Sequence, residues 1–250
     1  VLTWPEGNGW LTQRLAAPLA DRLHTGQVVL RIAETRHGVE VDVFDTATQT
    51  VVRWQALRAI IALPVFVAAR VVQNPPDFLR QAAARTTYAP WLVANIHIAQ
   101  PLHDRPGPAP SWDNVLYNTA GLGYVDAMHQ SLRPVPAATV LTYYRALGDV
   151  PQGRRLLMEK PWTAWRDEIL AELATAHPDL AAKATRIDIT RYGHAMAIPT
   201  PAVSSQIGLQ RLFHGREKLQ KPQRLAYAHS DWAGYSVFEE AFTLGHLAGS

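Results

Sequence analysis

The sequence lacks several residue types and patterns, and each absence removes a class of function. It contains no cysteine, which excludes disulfide bonds, thiolate catalysis and cysteine-ligated metal sites. A cysteine-free chain fits a reducing compartment, and we expect a cytoplasmic location. The ten histidines form no His-Glu-x-x-His pair and no cluster with metal-ligand spacing, so the sequence predicts no metal site.

Long apolar runs are also missing. The longest, residues 59–69, is interrupted by Pro64, and it is shorter than the ~18 uninterrupted apolar residues that a membrane helix needs. The residues after Val1 do not have the pattern of a signal peptide. We therefore predict no transmembrane segment in this sequence.

Charge of one sign is scarce as well. The chain has 24 Lys and Arg residues against 21 Asp and Glu residues, and charged residues make up 18% of it. The small basic surplus forms no stripe with interleaved aromatic residues, so nucleic-acid binding is not predicted. A hydrophobic content of 48% in 250 residues is enough for a real core, in one large domain or two modest ones.

Residue periodicity indicates alternating strands and helices. Gly7 and Gly9 flank an asparagine in a predicted tight turn, and leucines at helical spacing follow, with Pro18 expected to shorten that helix. Period-two alternation predicts strands over 27–32, 38–44, 50–54, 59–63, 91–99, 112–117, 138–145 and 185–192. Helices are predicted over 77–85, over 151–176 with an interruption at Lys160-Pro161, and over 203–220.

The end of the chain has the most specific local pattern. An apolar strand is predicted to end in a small acidic turn around Asp231. Ser236 and Glu239, three residues apart, then have the sequence pattern of a capping box at a helix start. Bare N–H groups and the positive end of a helix dipole at such a start suit a phosphate or the electron-rich edge of a reduced cofactor.

This closing segment resembles the C-terminal flavin-binding segment of FAD-dependent amine oxidases. The residues that carry the resemblance are Tyr227-Ala-His-Ser-Asp231, Trp232-Ala-Gly-Tyr235 and Glu239-Glu-Ala241. They stand where the family typically reads Phe-Ala-Gly-x-Glu, Trp-Ser-Gly-Tyr and Glu-Gly-Ala.

Other segments are similar to the same family in the same order. Trp4-Pro-Glu-Gly7-Asn-Gly9 stands where the family has a Pro-x-Gly-Gly-Met turn, and Gln27-Val28-Val-Leu-Arg-Ile32 resembles its adenine-contacting strand. Ala59-Ile-Ile-Ala-Leu-Pro64, with the later Asn74-Pro-Pro76, resembles its Val-Ile-x-Ala-x-Pro strand and x-Pro-Pro turn. The resemblance covers most of the chain.

The resemblance implies FAD as the cofactor, bound non-covalently or at least not through cysteine. Val28 corresponds to a residue whose backbone contacts the adenine, Asp231 to a carboxylate beside the ribityl and pyrophosphate portion, and Ser236 to the pyrimidine edge. The other implied cofactor-binding residues are Gly7, Gly9, Trp232 and Gly234. Taken alone, Val28 also fits a plain core strand and Asp231 an ordinary turn or helix-cap acid.

Three residues are implied on the side of a small-molecule substrate. Tyr235 matches one wall of an aromatic cage in front of the flavin, where it could steer an amine or exclude water from the reacting C–H bond. Taken alone, it also fits a tyrosine packed under the helix. Tyr192 and His194 occupy about the sequence position of the partner wall and are candidate catalytic or pocket residues.

Departures from the family pattern leave alternatives open. His229 and Glu240 replace two glycines. The position where many members carry a lysine that holds a water against flavin N5 falls on about Val93, with Ala94 as the next choice, and no lysine stands nearby. The leading hypothesis is an FAD-dependent oxidoreductase in which a substrate C–H bond passes hydride to flavin N5. The alternatives are an FAD-dependent desaturase or isoprenoid-type oxidoreductase, and a degenerate flavin-free binding module.

The implied architecture is α/β, with a partial Rossmann-like FAD-binding domain interleaved with a mixed-sheet α+β substrate-binding domain. Residues 1–64 and 202–250 would belong to the FAD-binding domain, and residues 65–201 to the substrate-binding domain. The sequence has no Gly-x-Gly-x-x-Gly turn to hold the pyrophosphate. We therefore expect the chain to be the C-terminal part of a longer oxidoreductase.

Overall fold

The computed structural model describes Trp4 and residues 6–105, 111–130, 135–200 and 224–250. The chain forms two compact units. We call the one made of Arg14–Thr87 and Met196–Ser250 the meander unit, and the one made of Val1–Gln13 and Tyr88–Ala195 the large-sheet unit. Each combines β-sheet with α-helix, as the predicted α/β class requires. The helix predicted over 203–220 lies outside the described residues.

The strands described are β1 (Gln27–Glu34), β2 (Val39–Asp45), β3 (Thr50–Ala56), β4 (Ala59–Ile61), β5 (Tyr88–Ile98), β6 (Asp113–Asn114), β7 (Tyr124–Asp126), β8 (Thr139–Ala146), β9 (Ala184–Ala197) and β10 (Leu225–Tyr227). The α-helices described are α1 (Asn8–Ala16), α2 (Val65–Val71), α3 (Asp77–Arg85), α4 (Val150–Glu159), α5 (Trp162–Ala174), α6 (Leu180–Lys183) and α7 (Phe238–Gly249). Within the described ranges, no helix has the length and apolar character needed to cross a membrane.

The meander unit contains three antiparallel strands in the order β1, β2, β3. Asp45 ends β2 and turns the chain, because its Oδ1 atom accepts a hydrogen bond from the Thr48 N–H (2.9 Å), the usual role of Asp in a turn. One face of the meander buries Ile32 and Val39 in a core that helices α2 and α3 close. The strands predicted over 27–32, 38–44 and 50–54 are therefore confirmed.

Strands β4 and β10 form a separate parallel pair in the same unit, with Tyr227 opposite Ile61. β4 leads through Pro64 into α2, and β10 leads into a short 3-10 helix, Ser230–Ala233. The carboxyl ends of the two strands therefore lie side by side. In α/β sheets this is the edge at which ligands bind.

The large-sheet unit contains a five-stranded sheet in the order β6, β7, β8, β5, β9. Burial alternates along β5, because successive side chains of a strand point to opposite faces. Leu92 and Ile96 face a core that also contains Leu157 of α4 and Ile169 of α5. These helices therefore cover one face of the sheet.

Proline sets two helix boundaries as the sequence predicts. α1 ends at Ala16, and a 3-10 helix that contains Pro18 follows it. The predicted helix over 151–176 is divided into α4 and α5 with Pro161 as the N-cap of α5. In both places the proline cannot donate the N–H that a continuous helix needs.

Other elements differ from the sequence prediction. Helix α2 was not predicted, because its apolar and β-branched residues follow Pro64 without a helical period. β6 covers only Asp113–Asn114 instead of 112–117. β7 is three residues long, too short for alternation to reveal it.

The borders of the compact units do not coincide with the sequence-based domain borders at residues 64 and 201. α2 packs against β1 and α3, so the segment from α2 to Thr87 stays with the meander unit. The assignment of an FAD-binding domain and a substrate-binding domain concerns function and remains a prediction.

Gly123 gives a test of the large-sheet unit. It has φ +105°, and a Cβ there would lie 1.9 Å from the Asn114 carbonyl oxygen. We expect Gly123→Ala to lower the free energy of unfolding by at least about 1–3 kcal/mol from the backbone conformation alone. Urea unfolding measures the change. Gly148→Ala is the control, since a Cβ at Gly148 meets nothing within 4 Å, and equal losses in the two variants would contradict the prediction.

Tyr227 makes the meander unit sensitive to alkali. Burial, and after it the negative charge of Glu34, raises the pKa of Tyr227 to about 12. An unfolded chain loses the phenol proton near pH ~10. This contribution to stability is therefore complete below the unfolded pKa and is lost as the pH rises through the folded pKa of about 12. Between pH ~10 and about 12, the unfolding free energy should fall less steeply with pH in Tyr227→Phe than in the unchanged protein. Equal slopes in the two proteins would contradict the raised pKa of Tyr227.

Candidate functional site

The turn after β10 is a short 3-10 helix with its own caps. His229 is the N-cap, and its Nδ1 atom accepts a hydrogen bond from the Asp231 N–H (3.1 Å). Gly234 ends the turn in the left-handed conformation, with φ +67°, and its N–H donates to the Asp231 carbonyl oxygen (2.8 Å). Glycine adopts this conformation without steric cost, which explains the glycine of the Trp-Ala-Gly-Tyr motif.

The Asp231 carboxylate anchors this turn to another part of the unit. Asp231 is 1% exposed, and its Oδ2 atom accepts a hydrogen bond from the Val65 N–H (3.0 Å). Val65 is the first residue of α2, and the N-cap Pro64 makes no side-chain cap bond. The carboxylate thus satisfies an N–H at the positive end of a helix. The helix-cap interpretation of Asp231 is confirmed, although the helix is not the one that follows it in sequence.

His229 also contacts the Asp231 carboxylate, with Nδ1 3.2 Å from Oδ1. A neutral Nδ1 accepts from the Asp231 N–H, whereas a protonated Nδ1 donates to the carboxylate, so the two contacts belong to different states of the ring. The N-cap bond is the one that the backbone determines, because the peptide plane sets the direction of the N–H. In either state a side chain occupies the place where the family pattern has glycine.

Trp232 is buried, with 5% exposure. Its ring packs against Tyr227 and Phe78, with centroids 5.8 Å and 5.9 Å away. The Nε1 donor is buried and has no acceptor in the part of the chain that the structure describes. A buried N–H without a partner costs about 1–3 kcal/mol. A ligand cannot reach this donor in the present arrangement, because the atom is closed off from solvent.

The capping box predicted at Ser236 and Glu239 is wrong. Helix α7 has Val237 as its N-cap, with no side-chain cap bond. The Ser236 hydroxyl is engaged elsewhere, because its Oγ atom accepts from the Ala197 N–H (2.9 Å). Among the described residues, no acceptor bonds the N–H groups of residues 238–240. These groups are donors at the positive end of a helix.

Two other predicted site residues of the meander unit are half exposed. Tyr235 is 54% exposed and Val28 is 52% exposed, so neither the tyrosine packed under a helix nor the plain core residue describes them. Val28 of β1 pairs with Phe44 of β2, and β1 is an edge strand of the described meander. An edge strand presents N–H and C=O groups that a ligand can pair with.

The other four predicted site residues belong to the large-sheet unit. Gly7 has φ +57° and ends the predicted turn, and Gly9 lies at the start of α1. Tyr192 and His194 alternate along β9 and therefore share one face of that strand. The His194 ring packs edge-on against Tyr88, with centroids 5.9 Å apart.

One turn thus brings together half of the predicted site residues, namely Asp231, Trp232, Gly234, Tyr235 and Ser236. It lies at the carboxyl ends of the parallel strands β4 and β10, with open amide donors at its far end. Such a turn can hold the polar edge of a planar ligand and stabilise negative charge on it. In the described ranges, no three His, Asp or Glu side chains lie together as metal ligands would.

Three residues around the Val93 position were not predicted from the sequence. Val93 lies on β5 directly opposite Tyr144 of β8, and the Tyr144 hydroxyl donates to Asp113 Oδ1 (2.8 Å). Trp91 stacks near Tyr144, with centroids 6.3 Å apart and ring planes 15° apart. The residues come from three strands, so only the pairing register brings them together. The alternation of Trp91 and Val93 along β5 is the one sequence signal of a shared face.

Comparison with known proteins agrees with this geometry. Residues 1–248 match the sequence pattern of a family described as flavin containing amine oxidoreductase. No curated protein matches the chain. Wild-type putrescine oxidase bound to putrescine is similar in structure, with a TM-score of 0.64 and 15% identity over 97% of this chain and 52% of that one.

Two further solved structures show the same relation. Cyclohexylamine oxidase from Brevibacterium oxydans has a TM-score of 0.62 and 16% identity, over 97% of this chain and 52% of that one. A structure from Exiguobacterium that carries the name protoporphyrinogen oxidase has a TM-score of 0.61 and 14% identity, over 90% of this chain and 46% of that one. The chain spans about half the length of these structures, and the likeness confirms the expected α/β fold class.

The bond between Asp231 and Val65 can be tested by mutation. Asp231→Ala should lower the free energy of unfolding by about 1–3 kcal/mol, because a buried N–H loses its acceptor. Asp231→Asn is the matched control, since its amide oxygen still accepts and the loss of the charge beside the helix dipole costs less, about 0.3–1 kcal/mol. Urea and thermal unfolding measure both. If the two variants are equally stable, this bond does not anchor the turn.

Proposed function

Because the chain belongs to the family of flavin-containing amine oxidoreductases, we propose that it is part of an FAD-dependent oxidoreductase that oxidises a C–H bond of a small molecule. The observation that carries the proposal is the turn after β10, which leads to the first N–H groups of α7, and these groups have no acceptor among the described residues. When bound, FAD supplies the redox chemistry by accepting hydride at N5, and the protein supplies position, exclusion of water and a favourable charge environment.

We assign the pyrimidine edge of the flavin to the start of α7. N–H groups at the positive end of a helix stabilise negative charge on an electron-rich ring edge. Ser236 keeps its proposed role there, because its Oγ accepts from the Ala197 N–H while its own proton can still be donated. Asp231 contributes by holding the turn in place through Val65, beside the ribityl portion of the cofactor.

The nucleotide end of FAD is assigned to Val28, Gly7 and Gly9. Val28 supports this assignment because it lies on an edge strand with half of its surface exposed. The sequence has no Gly-x-Gly-x-x-Gly turn for the pyrophosphate. Since the chain spans about half the length of the compared structures, we expect the remaining phosphate contacts to come from the other half of that fold.

The substrate side is assigned to Tyr235, Tyr192 and His194, with residues 65–201 as the substrate-binding domain and 1–64 with 202–250 as the FAD-binding domain. Tyr235 supports this assignment because it is an exposed aromatic ring next to Gly234, at the end of the turn after β10. An exposed ring can contact a cationic amine or shield the reacting C–H bond from water.

A second candidate is an FAD-dependent desaturase or isoprenoid-type oxidoreductase. Val93 favours it, because an apolar side chain opposite Tyr144 cannot hold a water as the lysine of many amine oxidases does. The fold likeness to the structure named protoporphyrinogen oxidase also fits. A third candidate, a flavin-free binding module, is suggested by the His229 ring at a glycine position of the family pattern.

Flavin reduction without oxygen separates the three candidates. The natural polypeptide that carries this chain is purified, and its visible spectrum is recorded before and after adding FAD, amines or apolar polyenes. Bleaching by amines supports the leading proposal, and bleaching by polyenes alone supports the desaturase. A folded, colourless protein that takes up no FAD contradicts both and favours the flavin-free module.

Tyr235 provides the mutational test. Tyr235→Ala should lower kcat/KM for flavin reduction about tenfold, the effect of losing about 1.4 kcal/mol of aromatic contact with a cation. The spectrum of bound flavin should stay unchanged. Tyr117→Ala is the control, because Tyr117 is 87% exposed and lies outside the assigned site. Equal kcat/KM values in the two variants would remove Tyr235 from the substrate side.

A further inference from the structure

His229 adds a titratable ring to the turn after β10. It stands at a glycine position of the family pattern, and it is the N-cap of the 3-10 helix Ser230–Ala233. Its side chain is 25% exposed, whereas the side chain of Asp231 is 2% exposed. The ring can therefore exchange protons with solvent, while the carboxylate beside it is buried.

The two contacts of His229 Nδ1 exclude each other. The atom lies 3.1 Å from the Asp231 backbone nitrogen and 3.2 Å from Asp231 Oδ1. An unprotonated Nδ1 accepts from the N–H and has no proton for the carboxylate, whereas a protonated Nδ1 donates to the carboxylate and no longer accepts. Protonation therefore replaces a bond to the backbone with an ion pair between side chains, and the Asp231 N–H loses this acceptor.

The anchor between Asp231 and Val65 is compatible with both states of the ring, because the carboxylate has two oxygens. Oδ2 accepts from the Val65 N–H (3.0 Å), and Oδ1 is the oxygen near the ring. Protonation of His229 thus leaves the side-chain anchor in place. What it changes is the bond that fixes the backbone at the beginning of the turn.

Backbone hydrogen bonds connect this cap to the start of α7. The Gly234 N–H donates to the Asp231 carbonyl oxygen (2.8 Å). The Tyr235 carbonyl oxygen then accepts from the N–H of Val237 (3.0 Å), which is the N-cap of α7. A change in the backbone conformation of Asp231 is therefore passed along the turn to the amide donors assigned to the flavin.

Asp231 is the charged group that the described residues place within ion-pair distance of the His229 ring. β4 has no titratable side chain, and Tyr227 of β10 stays neutral at neutral pH because burial raises its pKa to about 12. Other charged or titratable side chains lie on the helices that share a core with Trp232. They are Arg70 of α2, Asp77, Arg80 and Arg85 of α3, and Glu239, Glu240 and His246 of α7.

We propose that His229 is a positioning residue, which holds the turn after β10 in the flavin-binding conformation only while its ring is neutral. This inference rests on the proposed function and adds the regulation of the same site. Histidine changes charge between about pH 5 and 8, so acidification across this range weakens flavin binding. The loss of one N-cap bond corresponds to about fivefold in affinity.

The test measures the affinity of the natural polypeptide for FAD from about pH 5 to 8, by the change in flavin fluorescence. The affinity should fall about fivefold from the upper to the lower end of this range. In His229→Asn the fall should be absent, because the asparagine oxygen also accepts at an N-cap and its amide does not titrate. His229→Gly, which restores the family residue, should likewise show no fall, since no side chain caps the turn.

His246→Asn is the matched control, because it removes another histidine of the same unit, exposed in the last turn of α7. It should keep the full dependence of affinity on pH. The inference is wrong if His229→Asn shows the same fall as the parent protein. It is also wrong if acidification strengthens FAD binding in the parent, or leaves it unchanged.

Hydrogen exchange without flavin separates a failure of this inference from a failure of the proposed function. After correction for the intrinsic pH dependence of exchange, the amides of residues 230–235 should lose protection on acidification in the parent and keep it in His229→Asn. If this difference is seen but no FAD binds at any pH, the effect of His229 on the turn stands and the proposed function is wrong. If FAD binds equally at every pH and the protection does not change, the proposed function stands and the inference is wrong.

Discussion

One hydrogen bond, from the Val65 N–H to the Asp231 carboxylate, determines the geometry of the candidate cofactor site. It joins residues 166 positions apart and ties the turn after β10 to the start of α2, where β4 has just ended. Because Pro64 makes no side-chain cap bond, the buried carboxylate takes over that function. The left-handed Gly234 and the start of α7 follow from this anchored turn.

A buried polar group without a partner does not by itself define a site. Trp232 Nε1 and Trp165 Nε1 are both buried without an acceptor in the described chain. Both rings belong to packed cores, and the Trp165 ring lies under the cation of Lys160. The accessible donors of the candidate cofactor site are instead the first N–H groups of α7.

The assignment of function combines these local arguments with family membership. The family accounts for a flavin, while the structure of this chain explains how its own residues could position one. His229, the bond of Ser236 to Ala197 and the apolar Val93 are departures that belong to this sequence. They shift the expected contacts without removing the amide donors at α7.

The sequence by itself determined the features that depend on near neighbours. Alternation predicted the meander strands, proline ended α1 and separated α4 from α5, and the Trp-Ala-Gly-Tyr motif located the turn. The tertiary structure decided what depends on distant partners. Ser236 turned to Ala197 instead of capping α7, Asp231 capped a helix far away in the chain, and the β5–β8 register placed Tyr144 opposite Val93. The physical reason is that a side-chain hydrogen bond or a strand register depends on which groups are buried together in the folded chain. Those groups are distant in the sequence, so the local residue pattern does not reveal them.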